Sequence, residues 1–181
     1  MTDIPYSLRQ AGPEDAGMLA DLGARAFSET FAKDNTPEDL AEYLRQNFSP
    51  EKQASEINRP GSVFLVLEIN ESPAGFAHLQ DQATDTCLAA LPSLNQLHPM
   101  ELIRIYLLQA WTGHRLGDVL MQACLDHARQ QKVEVLWLGV WEHNPRAIAF
   151  YTRWGFEKAG MHLFQLGQDA QTDYVMARRL G

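Results

Sequence analysis

The chain has 181 residues, of which 45% are hydrophobic and 21% charged, with a formal net charge of −8. This length suits one domain with a sizeable core and is short for two, and the composition excludes a disordered chain. The acidity disfavours nucleic acid held by phosphate neutralisation and favours cationic small molecules, although surplus acid on most soluble proteins serves solubility alone.

Tyr6 to Gln10 alternates as a short strand, and Gly12-Pro13-Glu14-Asp15 supplies a turn with acidic residues for a helix start. That helix carries Met18, Leu19, Leu22, Ala26 and Phe27 on one face. A second begins after Thr36-Pro37 with Leu40, Tyr43, Leu44 and Phe48, and Ser49-Pro50 opens a short, polar third that ends before Pro60-Gly61. Val63 to Ile69 and Ala74 to Leu79, joined by turn residues from Asn70 to Pro73, read as a hairpin. The leucines of 84–99 recur every third residue between prolines, which reads as a partly helical insertion and a candidate substrate-side flap.

Glu101 to Gly117, ELIRIYLLQAWTGHRLG, organises the chain: a strongly apolar strand, an irregular turn, and a helix beginning near Arg115. Gly113 and Gly117 bracket the break, and a glycine-bearing turn feeding a helix leaves main-chain N–H groups unpaired and outward, an anion site that fits a phosphate. A plain tight turn is the alternative. Neither a G-x-x-x-x-G-K-[ST] loop nor a G-x-G-x-x-G after a strand occurs, which argues against a Walker-type nucleotide or a Rossmann dinucleotide.

Leu116, Val119, Leu120, Ala123, Cys124 and Ala128 make one stripe of an amphipathic helix, and Val133 to Trp141 follows as a strand buried on both faces. Strand, helix and parallel strand form a right-handed crossover, so the turn lies at the carboxyl end of the central strand, where open α/β sheets place ligands. Asn144-Pro145 caps a last helix that stops at Gly155, and Lys158 to Leu166 with Thr172 to Ala177 close the chain as a hairpin. No repeat, low-complexity stretch or linker interrupts it, so residues 1–181 read as one domain.

Cys87 and Cys124 form no C-x-x-C pair and read as free thiols in a reducing compartment. No signal-peptide core and no membrane-length apolar run occurs, so the expected location is cytoplasmic, with no membrane partner. Six histidines show neither H-E-x-x-H nor a tight ligand cluster, so no metal is expected, and the lack of G-x-S-x-G speaks against a covalent acyl-enzyme.

The order of elements, the Leu107 to Gly117 turn, the run from Asn144 to Tyr151 and Trp154-Gly155-Phe156 together resemble the GNAT superfamily of acetyl-CoA-dependent N-acetyltransferases over nearly the whole chain. Leu138 to Asn144, Phe164 to Gly167 and Gln171 to Tyr174 resemble its PaiA-type branch, associated with spermidine and spermine acetylation. Thr112 and Arg115 depart from the family's [Q/R]-x-x-G-x-[G/A] pyrophosphate motif, leaving Gly117 as the match. Backbone amides do most of the binding in such a loop, and an arginine adds a charge-assisted contact.

The resemblance implies an α/β fold with a mixed sheet of about seven strands, flanked by helices and splayed at its central strands. It implies acetyl-CoA as co-substrate, bound by Leu107, Leu108 and Gln109 along the pantetheine arm and by Gly113, His114, Arg115, Leu116, Gly117 and Asp118 at the pyrophosphate. Asn144 either contacts the pantetheine or only caps its helix. A lysine-like amine pays about 4.6 kcal/mol to be neutral at pH 7, so a carboxylate base is useful. Glu101, sixteen residues before Gly117, resembles the family's glutamate base. It reads equally as a strand-end residue facing solvent or pairing with Arg104, and Glu142 and His143 are weaker candidates. Tyr151 resembles the general acid for the leaving thiolate, against the alternative of core packing. The implied acceptor is a small primary amine, with a polyamine favoured. Acetylation of a protein N-terminus or lysine, and a non-catalytic CoA-binding module, are the rivals. An apolar patch in the insertion or the last hairpin would serve a homodimer.

Overall fold

A computed structural model describes residues 4–81, 97–166 and 169–181. Residues 84–96 of the expected insertion, with Cys87, and the expected turn residues Gly167 and Gln168 lie outside them. The strands are β1 Ser7–Gln10, β2 Ser62–Ile69, β3 Ser72–Gln80, β4 Pro99–Leu107, β5 Val135–Trp141, β6 Glu157–Leu166 and β7 Asp169–Arg179. The α-helices are α1 Ala16–Phe31, α2 Pro37–Asn47, α3 Pro50–Ile57, α4 Leu116–Gln130 and α5 Pro145–Arg153. The strands form one mixed sheet in the order β1-β2-β3-β4-β5-β7-β6, in which only β4 and β5 run parallel.

Local chemistry sets the boundaries. Thr36 Oγ1 accepts from the Asp39 N–H, Ser49 Oγ from that of Lys52 and Asn144 Oδ1 from that of Ala147, each followed by proline at the first helical position. Asn70 and Glu71 both have positive φ, 50° and 62°, the two-residue turn whose twist matches a hairpin.

Two apolar layers sandwich the sheet. On one face Leu116, Leu120, Met121 and Cys124 of α4 and Ile148, Phe150 and Tyr151 of α5 pack on Leu67, Leu79, Leu102, Leu136 and Leu138. On the other, Leu19, Leu22, Ala26 and Phe27 of α1 pack on Phe64, Val66 and Phe76. Burial pushes the Cys124 thiol up to about 12, which leaves it inert. Among the described residues no helix is long and apolar enough to cross a membrane.

His78 on β3 is sealed in the second layer, its ring stacked on Phe64 at 3.9 Å and its Nε2 2.9 Å from Ser62 Oγ. Burial, with Arg104, Arg59 and Lys52 nearby, pushes it down to about 2, so it stays neutral while an unfolded chain takes up the proton near pH 6.5. Its contribution to stability is whole above that pH and falls at up to about 1.4 kcal/mol per pH unit as acid is added. Urea unfolding at about pH 7.5 and about pH 5 should therefore show a smaller loss in His78→Phe than in the wild type. Equal losses would contradict this.

Candidate active site

The site begins where β4 and β5 part. Their parallel pairing covers only Pro99↔Val135, Met100↔Leu136 and Glu101↔Trp137, after which the strands diverge. Against β3 the register shifts between His78 and Leu79, so that Ile103 is the extra residue of a β-bulge. The bulge also changes the phase of β4. Met100 and Leu102 face α4 before it; Ile105 and Leu107 take that face after it, and Arg104, Tyr106 and Leu108 turn to the α1 side. A slot lined by main chain therefore opens beside the second half of β4.

At its mouth is the turn into α4. Gly113 has φ 84° and Arg115, the N-cap, is left-handed at φ 61°. With these reversals the N–H groups of Gly113, His114, Arg115, Leu116 and Gly117 donate to no described residue. The bounding groups are taken: Thr112 N–H donates to Gln109 O and Asp118 N–H to Arg115 O, both at 3.1 Å. The side chain of Asp118 braces α4 to α5, accepting from Trp154 Nε1 at 3.0 Å and Arg153 at 3.4 Å. His114 and Arg115 are exposed. A shallow groove bordered by Arg115, Asp118, Gln122, Arg153 and Trp154 leads away along α4.

Two of the main-chain donors expected to meet the cofactor, those of Asp118 and Leu108, are already bonded within the protein, and so is that of Gln109. Leu108 N–H is donated to Ala74 O and its carbonyl accepts from Trp111, both at 2.9 Å. Gln109 N–H is donated at 2.7 Å to Glu29 Oε2, which holds that carboxyl below its usual range. Main-chain groups alternate in direction along a strand, so Leu108 bonded to β3 leaves Leu107 directed at the slot. Leu107 thus keeps its place among the candidates, whereas the N–H groups of Leu108 and Gln109 are already bonded within the protein.

Tyr151 on α5 is partly buried against Phe150 and Phe156, and its hydroxyl has no hydrogen-bond partner among the described residues. Burial pushes the phenol above its ordinary range. Glu101 stands half-buried at the last paired position before the slot. The expected alternative partner, Arg104, forks instead onto Glu56 of α3, at 2.5 Å and 3.2 Å. Asn144 Oδ1 is committed to its helix cap. Glu142 is half-buried and His143 exposed at the end of β5, 3.9 Å apart.

Across the sheet from Tyr151 lies a group of polar residues that the sequence reading missed: Tyr43, Tyr106, Trp137, His162 and Asp173. Burial, with the fields of Tyr43, Tyr151 and Asp173, holds the Tyr106 phenol well above its ordinary range, against the opposing field of Arg104. Burial and the Glu142 carboxylate push the Asp173 carboxyl up to about 6. The available signal was parity: Asp173 shares a strand face with the apolar Val175 and Ala177, where a charge is out of place. Among the described residues no group of three or more His, Cys, Asp or Glu side chains is arranged to hold a metal.

Comparison with known proteins bears on this geometry. The model of the acetyltransferase (GNAT) family matches residues 25–156. An uncharacterized N-acetyltransferase of Lactobacillus delbrueckii subsp. lactis is 34% identical over 174 residues, 94% of this chain and 95% of that protein. One from Mycobacterium tuberculosis is 30% identical over 166 residues, 92% and 98% of the two chains. Among solved structures, the PaiA N-acetyltransferase of Thermoplasma acidophilum in complex with coenzyme A superposes with a TM-score of 0.77 at 20% identity, over 98% of this chain and 100% of that one. The ribosomal-protein alanine N-acetyltransferase of Escherichia coli gives a TM-score of 0.70 at 19% identity, over 97% and 94%. At these identities the structural likeness is one of fold.

Proposed function

Since this chain belongs to the acetyltransferase (GNAT) family and is an acyltransferase, we propose that it moves the acetyl group of acetyl-CoA directly to a primary amine of a small molecule, most favourably a polyamine. The observation that carries this reading is the run of N–H groups from Gly113 to Gly117 without partners among the described residues, set at the mouth of the slot between β4 and β5. Five donors in a turn that opens a helix suit a diphosphate, and Arg115 adds a cation beside them. The main chain of Leu107 pairs with an amide of the pantetheine arm, which fills the place that a strand partner leaves open. Tyr151 then serves the sulfur at the far end of that arm, and a carboxylate relieves the ammonium of its proton, Glu101 being the one expected from the sequence.

The acceptor class rests on the PaiA-like segments, on the net charge of −8 and on the fold likeness to a PaiA enzyme. We read residues 1–181 as one domain acting in the cytoplasm, and place homodimer contact at Met161 and Leu163, 62% and 77% exposed on edge strand β6. The test is CoA-thiol release from acetyl-CoA with spermidine, amino-acid amines and peptides. Release with spermidine exceeding that with the peptides is expected. Preference for a peptide would make it a protein acetyltransferase, and tight CoA binding without release would make it a CoA-binding module.

A further inference from the structure

Asp173 of β7 sits opposite Trp141 of β5 and His162 of β6 in the sheet register. It is 9% exposed, and among the described residues its Oδ1 has no hydrogen-bond partner and no cation pairs with it. His162 Nδ1 and Trp137 Nε1 are likewise buried without partners among the described residues. Gly139 lies beside them with no side chain to fill the space: a methyl group there would stand 3.0 Å from His162 Cε1 and 3.4 Å from Asp173 Oδ2. Among the described residues His162 on β6 lies beside Asp173, and the other titratable groups whose fields couple to it are Glu142 at the end of β5, Tyr43 on α2 and Tyr106 on β4, none of them a fixed cation. The nearby guanidinium, Arg104, is already neutralised by Glu56.

An unpaired carboxylate taken out of water is costly unless a cation joins it, and two carboxylates with aromatic walls are suited to an ammonium group. The position is also right for the chemistry, because Asp173 pairs with Trp141 at the carboxyl end of β5, the strand that borders the slot. We propose that this is the acceptor subsite: a cationic amine enters from the α1–α2 face, its ammonium is held by Asp173 with Glu142 at the rim, and Asp173 takes its proton.

The inference rests on the acetyl-transfer reading and moves the proton-accepting role from Glu101 to Asp173. The ammonium proton passes to the Asp173 carboxylate, and the freed lone pair attacks the thioester carbonyl. The C–N bond forms and the C–S bond breaks. As Tyr151 gives its proton to sulfur, the nitrogen returns one to the Tyr151 oxygen. Asp173 then releases its proton to water, so that an ammonium and acetyl-CoA become an amide, CoA thiol and one proton.

The experiment compares wild type, Asp173→Asn, Glu142→Gln and Glu101→Gln, with spermidine and acetyl-CoA. Asp173→Asn should lower kcat/KM for spermidine by about 100-fold. It should weaken spermidine binding to the CoA complex, seen by calorimetry, by at least about 10-fold with CoA affinity unchanged. In the wild type kcat/KM should fall as the pH drops through about 6, because a protonated Asp173 holds no cation, and Asp173→Asn should lose that limb. Glu142→Gln, at a half-buried rim position whose carboxylate lies 3.9 Å from the exposed His143, should raise KM about threefold. Wild-type kcat/KM in Asp173→Asn, a limb removed by Glu101→Gln instead, or an unchanged KM in Glu142→Gln if Asp173→Asn does not fold, would each overturn the subsite while leaving acetyl transfer standing. A wild-type enzyme that turns over no amine at all would overturn both.

Discussion

Tyr151→Phe should lower kcat for acetyl transfer by about 10²- to 10⁴-fold while leaving CoA affinity within about twofold of wild type. The substitution removes one oxygen that has no hydrogen-bond partner among the described residues and leaves the ring packed on Phe150 and Phe156, so the described fold has nothing to lose. How the oxygen acts follows from the ordering of pKa values. A thiolate has a pKa of about 8.5 and a free phenol about 10, and burial lifts Tyr151 further, so outright proton donation to sulfur runs uphill. The phenol can instead donate a hydrogen bond that strengthens as charge grows on sulfur and complete the transfer only while the attacking nitrogen gives a proton to its oxygen. A variant that loses kcat and keeps its CoA dissociation constant bears this out. An unchanged kcat removes Tyr151 from the mechanism.

The second large effect is on stability. Glu56→Gln should cost about 3–5 kcal/mol, read as a fall of roughly 10 °C in Tm, because Arg104 would be left charged and buried without its counter-ion. Both side chains are under one-tenth exposed, and the pair is joined by two hydrogen bonds, with Lys52 3.4 Å from Glu56. The guanidinium also lies 5.2 Å from the Phe48 ring centre. The double change Glu56→Met with Arg104→Leu should recover most of the loss, since the penalty arises from an unpaired charge more than from the pair's own worth. Equal destabilisation in the single and double variants would contradict that account. Where Glu56→Gln still folds, the exposed field of Arg104 should also raise KM for cationic amines.

Most of the fold was legible because its signals are local. Cap and proline pairs at Thr36, Ser49 and Asn144, the turn at Asn70 and the apolar stripe of α4 each act within a few residues, and each falls where its chemistry requires. The turn from Gly113 to Gly117 was legible for the same reason. What was hidden depends on partners far along the chain. Leu108 and Gln109 read as free main chain, but β3 and Glu29 of α1 claim them. α3 reads as a short, polar helix, yet Gln53 and Glu56 on it are buried. Arg104 has an acidic neighbour three residues away in Glu101, and binds one 48 residues away instead. The phase change at Ile103 is invisible to an alternating pattern, because a bulge is a property of two strands. Asp173 becomes a candidate only when β5 and β6 are placed on either side of it.

The central claim is that main-chain donors in the turn before α4 receive the diphosphate of CoA, and amide NMR on the labelled protein titrated with CoA tests it most directly. The account predicts that the amide resonances of Gly113, His114, Arg115, Leu116 and Gly117 shift downfield together, saturate at one equivalent and move more than those of Leu108 and Gln109, which are already bonded. CoA binding that leaves these five resonances in place while shifting others would contradict it.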